Sequence, residues 1–349
     1  MTEVKKEKNL MLWLKKRKRL LISIGTVILI ITMLFLVDII NLVYKIITIG
    51  IIGLLFFIIL ISLSFNLRAY KLKRIFKGID QNLSYSTAFF SLGVCYFIND
   101  LSPGKLGDLT KIVLIKDQDN IQLSRSLCGI SIERILDVLF LFVFSCFALI
   151  YLYYSFFGET NTKVFLGQNI QFYLLLGVLF LVSFSIILFV LLYKTDFILN
   201  IFDKISKKLT NYLRMFLKNY KEGMIIFKNH KRDFVYINFL NFPIYLFDAF
   251  ITVMFFYLLG YQLNIMILLL AIILTYFSRI SPLTPGGWGI SENIGALFIF
   301  IFYPQIPYTE ILSVFIIDHL IRSTFIFFYG GYSIIHYNIR LKEIKRLKV

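Results

Sequence analysis

Cysteine, histidine, proline and acidic side chains are all scarce in this chain, and each scarcity excludes something. Cys95, Cys128 and Cys146 are the three cysteines; they lie in apolar segments without Cys-x-x-Cys spacing, so neither a disulfide framework nor a zinc site is indicated, and they read as small buried hydrophobes. His230, His319 and His336 are scattered, no cluster has metal-ligand spacing, and neither a metal nor a cofactor is expected. Only 20 acidic residues stand against 37 basic ones, a formal net charge of +17. That surplus does not point to nucleic acid, because 30 of the 37 lysines and arginines fall in five segments, 1–19, 66–80, 116–125, 194–233 and 340–349, all of which can face the cytoplasm in one topology. This is the positive-inside bias of a membrane protein, and anionic lipid headgroups are the partner it implies.

What the chain does have is apolar length. Hydrophobic residues make up 58% of it, the mean hydropathy is +0.79, and several uninterrupted runs reach the roughly 20 residues a helix needs to span a hydrocarbon core. The expected fold class is therefore all-α, a polytopic integral membrane helical bundle. The run at 20–37 follows a basic cluster but ends without a small-residue cleavage pattern, so it is read as a retained signal anchor. Further helices are expected at about 43–65, 126–152, 170–193, 234–259 and 309–335, with shorter apolar pieces at 83–98, 265–280 and 293–303, and a sparse outer loop at 153–169. Residues 194–233 place apolar side chains at spacings of three and four between lysines, the pattern of an amphipathic connector on an anionic inner leaflet. Soluble catalytic domains typically need about 50 residues or more, so this interval has no room for one. The expected organisation is a basic cytoplasmic arm at 1–19, a single membrane domain at 20–338 and a basic cytoplasmic tail at 339–349, in the cell membrane.

Two stretches break the apolar runs. The first carries Pro103, Gly104, Lys105, Gly107 and Asp108; the second, from Ser281 to Glu292, carries Pro285, Gly286, Gly287, Gly289 and Glu292. Proline removes a backbone donor and glycine weakens a helix, and irregular backbone at membrane depth survives only where protein or a water-filled cavity satisfies its polar groups. Both read Pro-Gly-x-Leu/Trp-Gly, and each precedes a long helix with charges inside it: Glu133, Arg134 and Asp137 in one half, Asp318, His319 and Arg322 in the other. By the charge topology the first loop hangs from the cytoplasmic side and the second from the outer side. The expectation is two Pro-Gly-interrupted, re-entrant or broken helix hairpins in an inverted repeat, about 43–152 and 234–335, with a site near the midplane where they meet.

The residue types in these stretches suit a phosphate. A helix that begins after a Pro-Gly turn offers unpaired N–H groups and the positive end of its dipole; Lys105 and Lys111 would add charge, and Gly287 and Gly289 would let the backbone approach closely. Arg134 and Arg322 would hold the phosphate while carboxylates take protons or a cationic headgroup. The same spacing has a structural reading: Arg134 and Asp137 at i,i+3, and Asp318 and Arg322 at i,i+4, are close enough to satisfy each other on their own helices, leaving Glu133 and Glu292 unpaired. Arg279 would snorkel or pair with Glu292, and Asn238, Asn241 and Asp248 read as helix-to-helix hydrogen-bonding groups. The Gly-x-Gly of the second loop lacks the preceding strand and third glycine of a dinucleotide site.

Taken together, Ser102–Asp108 with Lys111, Glu133–Asp137, Thr284–Glu292, and Arg322 followed by Gly330 and Gly331 resemble the transmembrane region of lysylphosphatidylglycerol synthases, the flippase-like module of the multiple peptide resistance factor. The resemblance covers nearly the whole chain after the first helix and implies movement of aminoacylated or otherwise modified lipids between leaflets. Aminoacyl transfer in that family belongs to a separate soluble domain, so synthase activity is not expected of this stand-alone module. The leading expectation is a translocase for a phospholipid or lipid-linked glycan. Two rivals stand beside it. One is a membrane-embedded transferase or hydrolase with Glu133, Asp137 or Glu292 as general base; the other is a non-catalytic protein that presents lipid to a separate lipid-modifying enzyme. Whether the chain forms a homodimer is left open.

Overall fold

The computed structural model describes residues 38–102, 106–156, 164–165, 168–169, 231–279 and 284–338, with isolated positions between 172 and 225. The expected anchor at 20–37, both basic termini, most of 170–230, and Pro103, Gly104 and Lys105 lie outside the described residues.

Helix α1 spans Ile39–Gly78; Asp38 caps it by accepting the Ile40 N–H at 2.9 Å, and it bends at Gly50, whose φ of 70° suits only glycine. Helices α2 (Tyr85–Leu101) and α3 (Leu106–Asp119) form a hairpin, and α4 (Leu123–Phe156) follows. Later in the chain come α5 (Lys231–Leu258), α6 (Ile265–Ser278), a 3-10 turn at Pro285–Gly287, α7 (Ile290–Phe302) and α8 (Tyr308–His336). The one non-helical element among the described residues is a two-residue antiparallel ladder, β1 (Val164–Phe165) with β2 (Gln168–Asn169), inside the stretch expected to be a bare outer loop. Among the described residues four helices, α1, α4, α5 and α8, are long and apolar enough to cross a membrane, and α6 is a shorter apolar helix.

Polarity is inverted relative to a soluble protein. On α1, Ile40 and Ile52 are 80% and 82% exposed, whereas Lys71 and Lys111 have no exposure at all. Water does not tolerate the first arrangement over a whole helix face, but acyl chains do. One core joins Phe57, Ile61 and Phe65 of α1 to Phe255 and Phe256 of α5, Ile299 of α7 and Phe315 of α8; a second joins Leu72 and Phe76 of α1 to Leu92, Ile115 and Leu136 of α2, α3 and α4. The most extensive packing runs between α1 and α5, between α2 and α8, and within the α2–α3 hairpin, while α6 lies on α4.

One expectation is overturned by α1. The helix does not end near 65 in a cytoplasmic basic loop; it continues to Gly78 because Ala69, Leu72, Ile75 and Phe76 keep a helical apolar stripe that is fully buried. Of the basic residues counted there as surface charge, Arg68 and Lys71 are interior. Lys45, assigned to the outer segment, is also buried, held by Glu310 and Ser313 of α8.

Candidate functional site

The end of α2 and the turn before α7 come together. Helix α2 packs on the 3-10 turn that follows α6, and a Cβ at Gly286 would overlap the Asp100 carboxylate at the end of α2. Gly286, Gly287 and Gly289 all have positive φ (61°, 85° and 82°), so this tight reversal is available only to glycine. Just inside the junction lies a cavity of about 400 Å³. Arg68, Arg134, Arg279 and Arg322 line it, matched by Asp100, Asp108, Asp137 and Asp248, while Ile61, Phe65, Val138, Leu141 and Ile326 supply an apolar wall. Tyr96, Tyr245 and Tyr276 complete the polar side.

Burying so many ions requires that each be paired, and nearly all are. Arg68 bonds Asp248 at 2.5 Å, and Asp248 also accepts from Ser64 at 2.9 Å. Arg322 reaches Asp318 at 2.9 Å, one turn back on α8, and the Asp248 carbonyl at 2.7 Å on α5. Lys71 is clamped between Asp137 and Asn241, the latter at 2.8 Å. Arg134 bonds Asp108, and Lys111 bonds Glu133 at 2.6 Å. His319 bonds Glu292 through Nδ1 and stacks on Trp288 at 4.0 Å with 7° between the planes. Arg279 has no ion pair among the described residues, and its Nε makes no hydrogen bond; its guanidinium lies 6.0 Å from the Tyr276 ring centroid.

These contacts redraw several expected pairings. Asp318 and Arg322 do satisfy each other on α8. Arg134 does not pair with Asp137: its side chain turns to α3, and Asp137 goes instead to Lys71, a residue whose burial the sequence concealed. Glu133 is not left unpaired, and its partner is Lys111, fully buried and absent from the cavity wall, which removes Lys111 from the set of free phosphate donors. Nor is Glu292 unpaired, and it does not join Arg279. Its Oε2 accepts the Gly289 N–H at 2.7 Å and its Oε1 the Ser291 hydroxyl at 3.0 Å, so the α7 N-terminus expected to seat a phosphate already holds its own carboxylate. Gly107, likewise, sits against α2, where its N–H donates to Asn99 Oδ1 at 2.9 Å.

Of the expected site residues, Asp108, Arg134, Asp137, Gly286, Gly287 and Arg322 reach the cavity wall; Asp318 and Glu292 stand behind it, bonded to Arg322 and His319 of the wall; Glu133 is bonded to Lys111 away from the wall; Pro103, Gly104 and Lys105 lie outside the described residues. Sequence reasoning missed Arg68, Tyr96, Asn99, Asp100, Tyr245 and Tyr276 as wall residues, and treated Asp248 as a mere fastening. Arg68 and Lys71 were findable: spaced i,i+3 within an unbroken apolar stripe, they had to lie on or beside the buried face.

Membrane-length helices around an interior, charge-balanced cavity define a multi-pass helical membrane protein with a polar site inside the bundle. The sequence model of the lysylphosphatidylglycerol synthase TM region matches residues 20–330, and the chain belongs to that family. It is also similar to the UPF0104 membrane protein MJ1595 of Methanocaldococcus jannaschii, 24% identical over 280 residues that span 77% of this chain and 79% of that one. No solved structure matches.

Proposed function

We propose that the protein moves a lipid with a phosphate headgroup between leaflets of the cell membrane, seating the headgroup in the cavity between the hairpin tips. The observation that carries this reading is the composition of that cavity: about 400 Å³, lined by four arginines together with Ile61, Phe65, Leu141 and Ile326. A lipid headgroup with the first carbons of its chains has the same mixture of charged and apolar chemistry, and arginine is the side chain best shaped for phosphate. Arg68, Arg134 and Arg322 each carry N–H groups beyond those their aspartates take, Arg279 has no ion pair among the described residues, and a phosphate would compete with the aspartates for these donors. Supporting the two-sided route is the layout of the halves, α1–α4 and α5–α8, which we read as repeats of opposite orientation with both termini cytoplasmic: each runs long, short, short, long, and α2 lies on α8 as α6 lies on α4.

The test is reconstitution into liposomes carrying fluorescent phospholipid, with leaflet exchange followed by chemical quenching of the outer label. Arg134→Ala and Arg322→Ala are each expected to slow exchange by about tenfold or more, the worth of one charge-assisted hydrogen bond to phosphate. Variants that insert normally and keep the full rate would sink the phosphate seat. Covalently altered lipid would favour the transferase, and binding without exchange would favour lipid presentation.

A further inference from the structure

The four wall arginines are not equivalent. Among the described residues Arg68, Arg134 and Arg322 are bonded to Asp248, Asp108 and Asp318, whereas Arg279 meets no carboxylate and its Nε, though buried, makes no hydrogen bond. Thr284 repeats the anomaly: its Oγ1 is buried without a partner, and although the residue opens the 3-10 turn its side chain caps nothing. Both line the cavity. Buried polar atoms left unbonded by the chain are rare, and one explanation is a partner from outside it. Asp100 is the wall aspartate that no lysine or arginine bonds. The one basic nitrogen within 4 Å of its carboxylate among the described residues is His319 Nε2, at 3.9 Å, on a ring already bonded to Glu292. The glycine turn sets these groups side by side. A Cβ at Gly286 would overlap Asp100 Oδ1, and one at Gly287 would lie 2.7 Å from Arg279 Cγ, so the carboxylate and the arginine stem press on consecutive residues.

From this arrangement we infer that Arg279 and Thr284 form the anion subsite of the cavity, and that Asp100 beside them makes it selective for singly charged phosphodiesters over dianionic phosphomonoesters. Arg279 has a fork of N–H donors uncommitted to any carboxylate, and the Thr284 hydroxyl adds one more; the non-bridging oxygens of a phosphate accept them. The selectivity follows from charge. Attraction to the guanidinium grows in proportion to the ligand's charge, but the cost of taking that charge out of water grows as its square. Asp100 subtracts from the field of the one wall arginine without an ion pair, so the attraction available does not keep pace with the second charge. A phosphodiester carries one negative charge and a monoester about two at pH 8. That the diester belongs to a lipid rests on the translocase reading above; the subsite and its selectivity do not.

The test is calorimetric titration of the full chain in detergent micelles at about pH 8 with three probes, empty micelles serving as the blank: dihexanoyl phosphatidylglycerol, a diester; dihexanoyl phosphatidate, a monoester; and glycerophosphoglycerol, the diester without its chains. Phosphatidylglycerol should bind about tenfold more tightly than phosphatidate. Arg279→Ala should weaken the diester by about tenfold or more, Arg279→Lys should recover part of that, and Thr284→Val should weaken it by about fivefold. Asp100→Asn should strengthen both lipids, phosphatidate the more because it carries more charge, and so narrow the gap by about tenfold. Arg279→Ala breaks no ion pair among the described residues, so it should melt at the parent's temperature; early melting would show Arg279 tied into the fold and overturn the assignment. So would diester affinity unchanged in Arg279→Ala, phosphatidate bound as tightly as phosphatidylglycerol, or a gap unmoved by Asp100→Asn. Glycerophosphoglycerol bound as tightly as the lipid, or selective binding without leaflet exchange in liposomes, removes the translocase reading and leaves the subsite in place.

Discussion

Lys71→Met is expected to be the most destabilising single substitution in the described structure, lowering the free energy of unfolding by about 3–5 kcal/mol. Lys71 has no solvent exposure and is the cation that holds Asp137, itself 7% exposed, with Asn241 as the third member. Removing the ammonium strands a carboxylate in the interior, and the cost is that of an unpaired buried charge rather than of one lost contact. Arg68, one turn earlier, does not replace it, since its guanidinium is committed to Asp248. The diagnostic comparison is Lys71→Met with Asp137→Leu, which removes both charges together and should recover most of the loss. Thermal unfolding of the detergent-solubilised proteins measures this. A single variant as stable as the parent, or a double variant worse than the single, would mean that the pair does not hold the α1–α4 packing together.

Lys71 also shows where the sequence was legible and where it stopped being so. The apolar runs made the membrane-crossing helices plain, because about 20 consecutive apolar residues have few other uses. Helix boundaries at 126–152, 234–259 and 309–335 fall within four residues of the observed Leu123–Phe156, Lys231–Leu258 and Tyr308–His336. The failure came at 66–77, where a basic run looked like positive-inside surface and was in part interior. Charge counting registers the number of lysines and arginines in a segment but not which face of a continuing helix each occupies, and Arg68 and Lys71 fall on the face that also carries Ala69, Leu72 and Ile75.

Pairing across helices was illegible for a related reason. Sequence spacing proposes i,i+3 and i,i+4 partners on one helix, and it was right for Asp318 with Arg322. It has no means to propose Asp108 for Arg134, Glu133 for Lys111 or Glu292 for His319, which are 22 to 27 residues apart. Two of those long-range pairs occupy similar helix positions. Glu292 has no acidic counterpart at the same offset from the Pro-Gly motif, where Thr110 and Lys111 stand in the first half. By helix position the counterpart is Asp108: it is the third described residue of α3 as Glu292 is the third residue of α7, and each bonds a basic side chain on the long helix that follows. In both places an acid at the third position of a short helix bonds a basic side chain on the long helix that follows, and the two acids differ by two residues in their offset from the Pro-Gly pair.

Gly107→Ala tests how tightly the first of these hairpins is closed, and it is expected to cost about 1–3 kcal/mol, the usual range for overpacking, together with most of the lipid exchange. A Cβ at this position would overlap the Cys95 carbonyl oxygen and lie 2.8 Å from Asn99 Oδ1. The obstacle is backbone of a neighbouring helix, which cannot swing aside as a side chain would. To admit the methyl group, α2 and α3 must separate, and separation breaks the Asn99–Gly107 bond and moves Asp108 away from Cys95 Sγ, 3.2 Å from its Oδ1, and from Arg134. Damage that begins as sterics therefore reaches the cavity wall through Asp108. The adjacent pair Gly330 and Gly331 on α8 provides the internal control. A Cβ at Gly330 would overlap Phe97 and lie 2.8 Å from the Gly93 carbonyl oxygen, the close α2–α8 approach that small residues permit in membranes. A Cβ at Gly331 meets nothing within 4 Å, so Gly331→Ala should be neutral or stabilising by up to about 1 kcal/mol, the helix-propensity difference between the two residues. Unfolding and exchange measured on the three alanine variants should rank Gly331 above both others. If Gly107→Ala matched Gly331→Ala in both assays, α2 and α3 would not be in the contact that carries Asp108 to Arg134.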